Sequence, residues 1–163
     1  MNLWWQEVGS VLRDEFSDLP DAGQATRIIL RLLVAAILGG ALGFEREQKG
    51  KAAGLRTHML VALGAALFVL IPQQAGVSDA DLTRVLQGLI AGVGFLGAGS
   101  IIKGGGEEDV KGLTTAAGIW LTAAIGVAAG MGRQSTAVLS TLLALVILVM
   151  LPKVTRLFES RES

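Results

Sequence analysis

The stretch GFEREQKGKAAGLRTHML, residues 43–60, sets Glu45, Arg46, Glu47, Lys49, Lys51, Arg56 and His58 between two apolar runs. A charged segment of this kind reads as the wet connection between two membrane helices. Working outward, five apolar runs recur along the chain, at 28–44, 57–71, 85–102, 113–131 and 136–151. Each holds 15 to 19 residues, near the minimum that spans a hydrocarbon core of about 30 Å. Soluble amphipathic helices keep a polar face, and these runs do not. The expected fold is therefore an all-α integral membrane bundle of about five transmembrane helices.

Composition agrees. Mean hydropathy is +0.58 and only 17% of the 163 residues are charged. The formal net charge is zero, so a nucleic-acid partner is not indicated. With no cysteine, no tyrosine and one histidine, the chain has few groups for general acid–base chemistry. No nucleophile–base pair, P-loop or metal-ligand set points to an enzyme or a cofactor.

Lysine and arginine counts set an orientation. With the N-terminus outside, the inner loops and tail hold nine such residues and the outer segments hold Arg13, Arg27, Arg84 and Arg133. The expected topology is N-terminus out and C-terminus in, with residues 43–60 facing the cytoplasm. Glu7, Asp14, Glu15, Asp18 and Asp21 precede the first span, the wrong charge for a signal-peptide n-region. Leu3, Trp4, Val8, Val11, Leu12 and Phe16 recur near helical spacing. They predict an amphipathic helix on the outer membrane surface. The expected organisation is a surface helix and linker at 1–24, a transmembrane domain at 25–152 and a short cytoplasmic tail at 153–163.

The middle of the chain repeats. At an offset of 58 residues, Leu38, Gly39, Gly54, Leu55 and Thr57 recur as Leu96, Gly97, Gly112, Leu113 and Thr115. Each copy is an apolar run, a polar loop, a GLxT element and a second apolar run. The pattern predicts two helical hairpins in a parallel repeat, an arrangement that often places sites between copies. Gly54 and Gly112 suit backbone angles other residues avoid, and Thr57 and Thr115 are expected to cap the helices that follow. Small residues repeat at Ala35/Gly39/Gly43, Gly88/Gly92, Gly94/Ala98 and Gly126/Gly130. Such stripes mark close helix contacts in lipid. A glycine-lined conduit through Gly97 and Gly99 is the functional alternative. Trp120 is expected to pack between helices. The last span has no glycine and is expected at the lipid face.

Three blocks, residues 43–68, 92–103 and 110–132, together resemble the signature segments of the MgtC/SapB family of bacterial inner-membrane proteins. The resemblance covers roughly residues 31–132 in order and spacing. It implies about five membrane helices and a role in magnesium homeostasis, acid tolerance or survival in hosts. It also implies regulation of membrane partners, the F-type ATP synthase among them. Many members add a C-terminal domain resembling ACT modules; this sequence is expected to be a short form lacking it.

The candidate polar cluster comprises Glu45, Arg46, Arg56, Thr57, His58, Lys111, Thr114 and Thr115. A carboxylate at the membrane edge calls for a cation, and Arg46, Arg56 or Lys111 can supply it. The structural reading is an ion-pair brace between the two loops; the functional reading is a ligand or gate site with Glu45 as its acid. Arg31 reads as a snorkelling cation. Glu107, Glu108 and Asp109 offer a weak magnesium site at most. Two functions follow. One is a binding or regulatory membrane protein, in contact with lipid and expected to self-associate through its small-residue faces. The other is a transporter or channel for magnesium or a small solute, with a wet path along Glu45, Arg46, Gly97 and Gly99. The spans hold no central carboxylate to replace an ion's water.

Overall fold

A computed structural model describes residues 2–17, 21–103 and 110–159. The chain forms two compact units, Met1–Leu30 and Arg31–Ser163. The boundary between the units falls inside the first span. In the first unit, α1 covers Asn2–Glu15. Its apolar residues Leu3, Val11 and Leu12 are exposed, and Trp4 and Trp5 meet edge to face at 4.2 Å.

Five long helices follow: α2 (Ala22–Gln48), α3 (Leu55–Gln74), α4 (Asp79–Gly99), α5 (Leu113–Gly130) and α6 (Gln134–Glu159). All five are long and apolar enough to cross a membrane. The multi-pass helical fold expected from the sequence is thus present. α6 continues past Pro152 to Glu159, so the expected tail from residue 153 begins as helix. The turn between α4 and α5 carries a minimal antiparallel pair, β1 (Ile102–Lys103) with β2 (Val110–Lys111). The acidic triplet 107–109 lies outside the described residues.

In the second unit, α3 and α5 form the centre. One apolar cluster joins Ala35 and Leu42 of α2, Ala62 and Ala66 of α3, Ile125 and Ala129 of α5, and Ala137 and Ala144 of α6. A second, built on Ala53, Ala65, Val93, Ile119 and Ala123, lies toward α4. The seams depend on missing side chains. A Cβ on Gly39 would lie 2.6 Å from the His58 carbonyl oxygen. One on Gly126 would lie 2.2 Å from that of Ala62, and one on Gly130 2.7 Å from that of Ala66. Residues 58, 62 and 66 follow one another at four-residue spacing, so glycines of two neighbours seat on one edge of α3.

The repeat appears in the contacts. Gly39 faces His58, and its equivalent Gly97 faces Ala116, a Cβ there falling 3.6 Å from the Ala116 oxygen. Gly43 abuts Gly54 and Leu55, while Gly112 abuts Ser100 and Ile101. These pairs correspond at the same 58-residue offset. Gly112 also has φ +100°, which a residue with a Cβ adopts only under strain.

The other expected stripe behaves differently. Cβ atoms on Gly88, Gly92, Gly94 and Gly99 would meet nothing within 4 Å. These glycines make no close contact inside the chain: Gly88 and Gly92 line a gap between α3 and α4, and Gly99 lines a second hollow beside it. Trp120 is also corrected: it stands 49% exposed on α5, pointing away from the helix seams. Arg31 does not snorkel. Its Nη1 donates to the Gly130 carbonyl at 2.9 Å and to Gln73 Oε1 at 3.2 Å. It thereby satisfies an open carbonyl at the end of α5, where the helix dipole also favours a cation.

Candidate functional site

Glu45, Arg46, Arg56, Thr57 and His58 lie where α2 ends and α3 begins, while Thr114 and Thr115 open α5 and Lys111 stands on β2. The last turn of α2 delivers Glu45, Arg46, Glu47 and Lys49. Arg46 is 3% exposed despite its charge. A charge so buried needs a partner, and Arg46 Nε donates to Glu45 Oε2. Lys49 Nζ stands 3.2 Å from the other Glu45 oxygen. That distance makes an ion pair, but the oxygen still lacks a well-aligned hydrogen bond. The α2 C-terminus favours both cations and disfavours Glu45, so the paired carboxylate is stabilised by them rather than by the helix.

The expected partners are therefore partly corrected. Glu45 pairs within α2, through Arg46 and Lys49. Arg56 is exposed, and among the described residues it makes no ion pair. The link between α2 and α3 comes instead from Glu47, whose Oε2 accepts the Leu55 backbone N–H at 2.7 Å. That amide is one of the open donors at the start of α3. The expected threonine caps are thus replaced. Gly54 and Gly112 occupy the cap positions, without side-chain cap bonds. Thr57 and Thr115 lie inside the first turns, Thr57 exposed and Thr115 buried. Thr114 is exposed beside it.

His58 is the deepest member, at 0% exposure. Its Nδ1 lies 3.0 Å from the Gly54 carbonyl oxygen. A carbonyl only accepts, so Nδ1 carries a proton. Nε2 has no protein partner. It faces Gly118 of α5, where an added Cβ would come to 3.5 Å. The cluster is thus a buried Glu–Arg pair beside a buried imidazole with one ring nitrogen unpartnered, wedged against glycine faces of α2 and α5. Among the described residues, no three histidines or carboxylates come together to hold a metal ion.

Two hollows flank this cluster. A groove of about 560 Å³ runs between α3 and α4 over Gly64, Gly88 and Gly92. A notch of about 380 Å³ adjoins it at Thr57, Gly99 and Ser100. Neither is lined by Glu45 or Arg46. The wet path imagined along Glu45, Arg46, Gly97 and Gly99 is therefore divided: Gly97 packs on Ala116 and Gly99 opens into the notch. Sequence reasoning missed Glu47 as a cap and the inward bonds of Arg31. The signal for Glu47 was a carboxylate eight residues before a helix start, a spacing with no periodic signature.

Five apolar helices joined through glycine seams, with paired charges at one end, define a multi-pass helical membrane protein. The sequence model of the MgtC family matches residues 32–157. The chain belongs to the MgtC family. It is 42% identical to SrpB of Synechococcus elongatus over 144 residues, covering 82% of this chain and 79% of that protein. It is 42% identical over 125 residues to MgtC of Brucella abortus, covering 77% and 51%. It is 40% identical over 135 residues to YhiD of Escherichia coli (strain K12), provisionally named a magnesium transporter, covering 78% and 61%. The chain thus spans about three-fifths of YhiD. No solved structure matches it.

Proposed function

We propose that this chain is a non-enzymatic protein of the bacterial inner membrane that serves magnesium or ion homeostasis by binding and regulating membrane partners. The observation that supports this reading best is the closed midsection. α5 lies on the α3 backbone at Gly126 and Gly130, and Val127, Ala128 and Ala129 between them are apolar. Thr122 and Thr141 donate to carbonyls of their own helices, at 2.8 and 2.9 Å. Such a seam offers no ring of oxygens to an ion leaving water. The charged end is then a docking and bracing surface. The lysine and arginine bias supports a cytoplasmic position for it, with the N-terminus outside. The F-type ATP synthase is the partner implied by the family resemblance, and a second copy of the chain is the other.

Magnesium flux into proteoliposomes tests the reading, with Glu45→Gln as comparison. The expected result is no uptake above protein-free vesicles for either form. Uptake by the wild type that disappears in a folded Glu45→Gln protein would replace regulation with transport.

A further inference from the structure

The groove between α3 and α4 is apolar along its whole lining, from Leu60 and Leu96 at one end to Phe68 and Val85 at the other. Leu60 to Phe68 is about 12 Å of helix, close to one leaflet of a hydrocarbon core of about 30 Å. Its floor is closed by Ala65 and Val93, 2% and 5% exposed. Gly64, Gly88 and Gly92 leave it unfilled, since a Cβ on any of them would meet nothing within 4 Å.

The groove does not end blindly. Val61 and Leu96 line both it and the notch beside it. The notch changes character, adding the hydroxyl residues Thr57 and Ser100. Two exposed cations adjoin its lining in sequence, Lys51 before Ala52 and Arg56 before Thr57. Neither makes an ion pair among the described residues. Glu47, the carboxylate of the same hairpin, is committed to the Leu55 amide.

We propose that this continuous groove and notch hold one anionic phospholipid, an acyl chain lying over Gly64, Gly88 and Gly92 and the phosphate meeting Arg56, Lys51 and Thr57. The apolar lining suits a hydrocarbon chain, and the glycines leave room for it. The rim selects negative charge, as basic pockets between membrane helices do. The glycines then have a use that packing inside the bundle does not give them: they make room for lipid.

Native mass spectrometry of the intact protein, exchanged from micelles containing matched phosphatidylglycerol and phosphatidylcholine, tests this. The wild type is expected to retain one phosphatidylglycerol per chain in preference to phosphatidylcholine. Arg56→Gln should lower that preference about fivefold. Gly92→Leu should displace the chain and cut retention of either lipid about tenfold or more, and Gly88→Val should do the same. Both side chains enter open space, and circular dichroism checks that the helices persist. Equal retention of the two lipids by the wild type would overturn the proposal without any variant. Wild-type retention in folded Gly92→Leu and Gly88→Val would overturn it as well. So would a lipid-free dimer that Gly92→Leu dissociates, which would assign the groove to a second copy.

Discussion

Gly126 of α5 lies against the backbone of Ala62 in α3, so closely that a methyl group on Gly126 would sit 2.2 Å from the Ala62 oxygen. The opposing atoms are main chain and cannot turn aside. Gly126→Ala is therefore expected to separate the two helices and lower stability by about 1–3 kcal/mol. Thermal unfolding in detergent reads this out. Gly88→Ala, with nothing within 4 Å, is the control and should stay within about 1 kcal/mol of wild type. Equal effects at the two positions would remove the close seam from the account.

Glu47 holds the first amide of α3. Glu47→Ala should cost about 0.5–2 kcal/mol, the usual range for a lost cap. Hydrogen exchange gives a local check, since protection at Leu55 should fall while the middle of α3 is unchanged. Unaltered exchange at Leu55 would mean that another group satisfies the amide.

Arg31 donates to the last carbonyl of α5. Arg31→Met should weaken the protein by about 1–3 kcal/mol through the abandoned carbonyl, and Arg31→Lys should recover part of that. A snorkelling arginine would behave differently: both variants would leave the melting temperature unmoved.

His58 fills the space between the glycine faces of α2 and α5. His58→Ala should cost about 2–5 kcal/mol, as other large-to-small changes in a closed core do. Gly118→Ala should be tolerated, because its methyl would reach Nε2 at an ordinary 3.5 Å. A His58→Ala protein as stable as wild type would show that the ring is not part of the packed core.

The spans were legible because hydropathy over 15 to 19 residues needs no partner to be read. The glycine turns before α3 and α5 were legible too, since Gly54 and Gly112 stand directly before each helix. Which glycines meet a neighbour was not. Gly92 and Gly126 are alike in sequence context, yet one faces open space and the other a backbone. That difference depends on how α4 and α5 turn about their axes, which composition does not encode. The polar cluster was read as a set, and its internal pairing only in part: Arg46 was among the expected partners of Glu45, Lys49 was not. Glu45 takes Lys49 one helical turn away rather than Arg56 across the loop, because α2 continues through both residues. Thr57 and Thr115 misled for the opposite reason: the helices begin two residues before them.

The bond between Arg31 and Gly130 joins residues 99 positions apart. A ribosome therefore releases the arginine long before the carbonyl that receives it exists. During synthesis, α2 must enter the bilayer with its guanidinium unsatisfied, at a cost of a few kcal/mol for a cation within the hydrocarbon. α3 then brings Gln73, and α5 brings the Gly130 carbonyl that completes the pairing. The contact thus ties the first long segment to the fourth: a chain stalled before α5 lacks the Gly130 carbonyl that Arg31 holds.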